Sequence, residues 1–154
     1  MKEKRVLFIG LVWPEPTSSA AGFRMMQLIE TFLDRSYQIT FASAAAKSPY
    51  SAALKPLGVD EQSIVLNSDS FDGFIAALQP DIVVFDRFMV EEQYGWRVAQ
   101  QCPDALRILD TEDLHFLRQA RQTCIKNKDD FSFEELFTDT AKEKLLRYYD
   151  AIYH

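Results

Sequence analysis

Acidic residues gather where short apolar runs end. Asp86 closes the run Asp81-Ile82-Val83-Val84-Phe85-Asp86 and Asp110 closes Leu106-Arg107-Ile108-Leu109-Asp110, with Glu112 and Asp113 just behind. Carboxylates so placed can hold magnesium through oxygen ligands. They can equally cap the helix that follows or sit against its positive end. His115, one of only two histidines, comes next, between Leu114 and Phe116. An imidazole there can donate to a substrate hydroxyl or take its proton; the same residue also fits as a partly buried, hydrogen-bonded packing group. A third feature is Val12 to Met26, "VWPEPTSSAAGFRMM". Its Ala21-Gly22 pair allows backbone to come close to a ligand, and a helix N-terminus behind it favours an anion. Alternatively it is a crossover loop whose Gly22 eases a turn.

The elements that position these groups follow from hydrophobic period. Val6 to Gly10 is a continuous apolar run of strand length, as expected for a strand buried on both faces. Met25, Leu28, Ile29, Phe32 and Leu33 recur at helical spacing, with Arg24, Gln27, Glu30 and Asp34 opposite, and Ser18 or Ser19 is placed to cap the helix. The spacing predicts strands near residues 5–10, 37–42, 63–67, 81–86 and 106–110. Between them it predicts short helices over Ser51–Leu57 and Phe71–Leu78, and longer ones over Glu91–Gln101 and from Leu114 to Cys124. Ser132-Phe133-Glu134-Glu135 opens a last helix with a capping-box pattern. Strands alternating with helices imply right-handed βαβ units, hence an α/β, Rossmann-like three-layer sandwich with a mainly parallel sheet and helices on both faces. Ligands of such sheets bind beyond the carboxyl ends of the strands, near the switch point of strand order. That rule selects Leu11–Gly22, Asp86-Arg87 and Asp110–His115.

Composition narrows the partners. The 154 residues are 47% hydrophobic and 26% charged, enough apolar material for the core of one ordinary domain. A net charge of -6 with scattered Lys and Arg argues against nucleic acid. The two cysteines, Cys102 and Cys124, form no CxxC, which argues against zinc and suits reduced thiols in the cytoplasm. No apolar stretch approaches the roughly 20 residues of a membrane span. The basic start, the apolar Val6–Trp13 and Ser19-Ala20-Ala21 also fit a secretory signal, but the apolar core is short and the βαβ pattern continues from it. GxGxxG and GxxxxGK[ST] are both absent, which removes support for dinucleotide hydride transfer and for P-loop ATP hydrolysis. A receiver-like module would need an acidic pair after the first strand, where this chain has Gly10-Leu11-Val12. The chain ends at Asp150-Ala151-Ile152-Tyr153-His154 within an aromatic helical pattern, as expected of a piece of a longer protein.

"RVLFIGLVWPEP" followed by "AAGFRMMQLIETFLDRSYQITFAS" resembles the opening of GT-B glycosyltransferases, especially the group-1, family-4-like branch. The turn Arg35-Ser36-Tyr37-Gln38-Ile39 stands where that family has an "RGHxV"-like turn, and "QPDIVVFDRF" and "ILDTEDLHFLRQAR" resemble its later strand segments. The resemblance spans nearly the whole chain and implies that residues 1–154 are a single Rossmann-like domain, the N-terminal half of a two-domain enzyme. In that family the N-terminal domain mainly binds the hydroxyl acceptor and the C-terminal domain holds the nucleotide-sugar. No metal or other cofactor is implied, because helix dipoles and basic residues stabilise the departing diphosphate. Gly22 corresponds to the family's glycine loop, with Ala21 replacing one glycine of its usual pair, and His115 corresponds to a histidine near the transferred sugar. The resemblance therefore implies His115 as the catalytic group and Gly22 as a substrate-binding residue; Arg24, Asp86 and Asp113 are the other expected substrate-binding residues. The family's carboxylate-bearing donor motif has no counterpart here, so the domain alone is expected not to catalyse transfer. Two rivals stand beside this reading. One is a stand-alone Rossmann-like binding or interaction domain; the other is a magnesium-dependent phosphohydrolase using Asp86 and Asp110, disfavoured by the missing acid after the first strand.

Overall fold

The structure, a computed structural model, describes residues 3–112, 114–127 and 130–134. The chain divides into two compact units, residues 1–110 and 111–154.

The first unit is a five-stranded, all-parallel sheet of the Rossmann-like three-layer type. Its strands are β1 (Arg5–Gly10), β2 (Gln38–Ser43), β3 (Asp60–Ser63), β4 (Ile82–Asp86) and β5 (Leu106–Asp110), in the order β3-β2-β1-β4-β5. The order reverses between β1 and β4, which pair directly with Val6 opposite Ile82 and Ile9 opposite Phe85. Every residue of β1 after Arg5 is buried, the signature of a central strand covered on both faces. Its side chains alternate between two cores. Val6 and Phe8 join Ile39, Phe41 and Val84 beneath Met25 and Ile29 of α1 (Ala20–Leu33). Leu7 and Ile9 join Val83 and Phe85 beneath Phe71 and Ile75 of α2 (Ser70–Leu78) and Val90, Tyr94 and Val98 of α3 (Phe88–Gln101). Arg97 of α3, itself buried, ties the two helices together through Asp72 Oδ2 at 2.6 Å and Asp69 Oδ1 at 3.4 Å.

Two local expectations need correction. The third strand is Asp60–Ser63, not 63–67. It is one of the two outer strands of the sheet, where polar side chains suit a half-covered position, and its partners are Thr40–Ser43 of β2. Of the apolar run that suggested a strand, only Ile64 is buried, its N–H bonding Ser43 O at 3.1 Å, while Val65 and Leu66 are exposed. Within Ser51–Leu57 only Lys55–Leu57 coils, as a 3₁₀ turn with Pro56 inside it and left-handed Gly58 (φ 83°) ending it.

In the second unit α4 (His115–Asn127) forms where helical spacing was read. Residues 135–154, including most of the expected last helix, lie outside the described residues.

Candidate functional site

The loops after β1 and β4 leave the sheet side by side at the switch point, and the site is built from them. The β1 loop is held shut by its own side chains. Trp13, 3% exposed, donates its indole N–H to Ala45 O at 2.7 Å and packs on Phe41, with Lys47 Nζ 4.7 Å above its ring. Glu15 O accepts the N–H groups of Ser18 and Ser19 at 3.1 Å, and the Glu15 carboxylate accepts hydroxyl bonds from Ser48 and Ser18. Those two hydroxyls hold the Glu15 carboxyl below its ordinary range.

Ser19 starts α1 as its N-cap, accepting the Gly22 N–H at 3.0 Å. Glycine at position 22 has a steric cause. A Cβ there would lie 2.5 Å from the backbone C and O of Glu15 and 2.6 Å from its N, so the loop folds directly onto the helix. In this structure the close backbone neighbour of Gly22 is thus Glu15, and its N–H is engaged by the cap. Gly22 nonetheless lines a narrow cleft with Trp13, Glu15, Ser19, Asp86 and Arg87. The cleft holds about 40 Å³, room for a few waters and far less than the roughly 300 Å³ of a ligand pocket.

Asp86, 5% exposed, ends β4 at the cleft floor. It does not cap α3. Its Oδ2 accepts the Leu11 N–H at 3.2 Å, and its Oδ1 lies 3.4 Å from Arg87 Nε. Burial raises its carboxyl above the ordinary aspartate value, and nearby Asp110 adds to the shift; Arg87 and the Leu11 N–H oppose it. Asp110 pairs in register with Asp86 across β4 and β5, and its Oδ2 meets Arg24 Nε at 3.6 Å. The structure therefore gathers Gly22, Arg24 and Asp86 around one edge of the sheet. His115 is the first residue of α4, in the second unit. Asp113 lies outside the described residues.

Arg87 was selected by the switch-point rule together with Asp86, but sequence reasoning gave it no role at the site. It is the N-cap of α3, with φ 75° and ψ 155°, a region almost reserved for glycine. The turn is fixed from both sides: Arg87 N–H donates to Asp110 O at 2.8 Å, and Arg87 O accepts the Val90 and Glu91 N–H groups. Such strain persists where the surroundings over-determine it, and it clusters at functional sites. The result is a guanidinium on the cleft wall that the N-terminus of α1 also faces, two features that favour an anion. Only the position of Arg87 directly behind a strand-ending acid signalled this in the sequence.

Among the described residues no group of three or more His, Cys, Asp or Glu is placed to hold a metal ion, and no helix is long and apolar enough to cross a membrane. The chain matches no protein-family model, and no curated protein or solved structure shows significant similarity to it.

Proposed function

We propose that this chain is the acceptor-side domain of a nucleotide-sugar-dependent glycosyltransferase of the GT-B type, moving a sugar from a nucleoside diphosphate to a hydroxyl of a glycan, lipid or small molecule. The observation that carries the reading is the strained Arg87 turn, which sets a guanidinium beside the start of α1 at the switch point. A departing diphosphate needs this pairing of a cation with helix N–H groups, and it needs no metal if they suffice. The small cleft supports a shared site: this wall can touch a diphosphate but has no room for the nucleoside, which the second domain would hold. His115 would then serve the transferred sugar, and Gly22, Arg24, Asp86 and Asp113 the substrate side of the cleft.

The test is a titration of the isotope-labelled chain with UDP-glucose and GDP-mannose, followed by amide chemical shifts. The reading expects weak, millimolar binding with shifts confined to residues 11–24 and 86–88. Micromolar affinity, about -8 kcal/mol, would place a complete nucleotide pocket in this chain and overturn the half-site. Shifts absent at 20 mM ligand, or lying elsewhere, would also overturn it.

A further inference from the structure

The cation of the cleft is not free to receive a ligand. Among the described residues Asp86 is the one ion-pair partner of Arg87, its Oδ1 3.4 Å from Nε. Both members of the pair are held by backbone. Asp86 Oδ2 accepts the Leu11 N–H at 3.2 Å, and Arg87 N–H and O are bound to Asp110 O and to the first amides of α3. An arriving anion therefore meets a guanidinium whose charge is already paired with a buried carboxylate.

The surrounding charges sharpen the conflict. Among the described residues lining the cleft, Asp86 and Glu15 are acidic and Arg87 alone is basic. Asp110 stands in register with Asp86 on β5 and meets Arg24 of α1 at 3.6 Å, and Glu91 lies in the first turn of α3. Glu15 stays ionised, because the Ser48 and Ser18 hydroxyls hold its carboxyl below the ordinary range. Asp86 is the acid that takes a proton more readily: burial raises its carboxyl, with Asp110 adding to the effect, against the opposing Arg87 and Leu11 N–H. Once protonated, it no longer holds Arg87 by charge, and the guanidinium can turn its full charge to an anion.

We propose that Asp86 and an incoming anion compete for Arg87, so that the cleft binds its anion together with a proton. The Asp86 carboxylate gains that proton from solvent as the anion replaces it beside the guanidinium, and returns it when the anion leaves. This rests on the reading of the cleft as a diphosphate site and adds a control to it: binding strengthens as pH falls. The coupling is reciprocal, so the factor by which protonation tightens the anion is the factor by which the anion tightens the proton. A factor of about ten is ordinary for such coupling and corresponds to about one pH unit.

Sulfate is the probe, because its charge is constant from pH 4 to pH 8. It is titrated into the isotope-labelled chain at fixed ionic strength, which holds screening constant, and amide shifts are followed at residues 11–24 and 86–88. The parent should bind about tenfold more tightly at pH 4 than at pH 8, and sulfate should move the titration midpoint of the Asp86 carboxyl carbon up by about one pH unit. Asp86→Asn at pH 8 should bind as tightly as the parent at pH 4. Glu15→Gln removes a charge from the same cleft, but one bonded to Ser18 and Ser48, so it should keep the pH dependence of the parent. An Asp86 midpoint that sulfate does not move, or an Asp86→Asn protein no tighter than the parent at pH 8, would overturn the competition and leave the anion site standing. Equal tightening by Glu15→Gln and Asp86→Asn would also overturn it, by reducing the effect to net charge. Sulfate shifts absent from parent and Asp86→Asn at every pH would overturn the anion reading of the cleft, and the competition with it.

Discussion

Gly22→Ala adds one methyl group, and two effects of opposite sign compete. Within a helix, alanine is favoured over glycine by about 1 kcal/mol, and position 22 lies in the first turn of α1. Against this, the new Cβ would stand 2.5–2.6 Å from three backbone atoms of Glu15, about 1 Å inside van der Waals contact. Backbone cannot swing aside as a flexible side chain can, so the cost belongs at the upper end of the about 1–3 kcal/mol of overpacking. The loop is further fixed by the Trp13 indole bond and the Ser48 and Ser18 bonds to Glu15, which oppose its retreat. Overpacking wins, and the expected net loss is about 2 kcal/mol, or about 4–8 °C in melting temperature. Gly73→Ala is the internal control. It lies in α2 with nothing within 4 Å of an added Cβ, so the same substitution should stabilise the protein by about 0.5–1 kcal/mol. Urea denaturation of the three proteins side by side gives both signs. A Gly22→Ala protein as stable as the parent would refute the close approach of Glu15 and, with it, the shape of the cleft.

Further outcomes follow from the same site. Asp86→Asn should raise the melting temperature at neutral pH. The folded carboxyl titrates above the ordinary 3.8, so the folded state holds the proton more tightly than the unfolded chain. The contribution of Asp86 is therefore full below 3.8 and is lost as pH rises through the raised value, and the advantage of asparagine should grow over that interval. Melting curves from pH 3 to 8 that run parallel for the two proteins would contradict this. Arg87→Gly relieves a backbone conformation costing about 1–3 kcal/mol in other residues and should stabilise the protein by about 1 kcal/mol in urea denaturation, even though its ion pair with Asp86 is lost. His115→Ala, made in the protein expressed from the whole natural reading frame, should lower kcat by about 10²-fold with an unchanged melting temperature. The reverse pattern would mark His115 as a packing residue.

The parallel sheet was legible because its inner strands are apolar on both faces. Val6–Ile9 and Val83–Phe85 could be little else in a chain of alternating elements. The outer strand β3 was not, because it is polar Asp60-Glu61-Gln62-Ser63, and the apolar run just after it suggested a later register. The Val65 and Leu66 of that run are exposed and lie outside the core. For the cleft, the switch-point rule found Gly22, Asp86 and the position of Arg87, and Ser19 was legible as a cap. The reason for Gly22 was not legible, because Glu15 meets it only after the loop folds back. Nor was the conformation of Arg87: nothing local in Phe85-Asp86-Arg87-Phe88 requires a positive φ, which bonds to Asp110 O and the α3 amides impose.

Turnover by the protein made from the whole natural reading frame tests the central proposal most directly. Release of nucleoside diphosphate from a panel of nucleotide-sugars is followed with hydroxyl acceptors present, for the parent and for Arg87→Gln. The account predicts acceptor-dependent release by the parent and a fall in kcat of about 10²–10³-fold on loss of the Arg87 cation, in a protein that still folds, its melting temperature lowered only by the few degrees that loss of the Asp86 ion pair costs. Release that is undetectable with every nucleotide-sugar, or undiminished in Arg87→Gln, would contradict it.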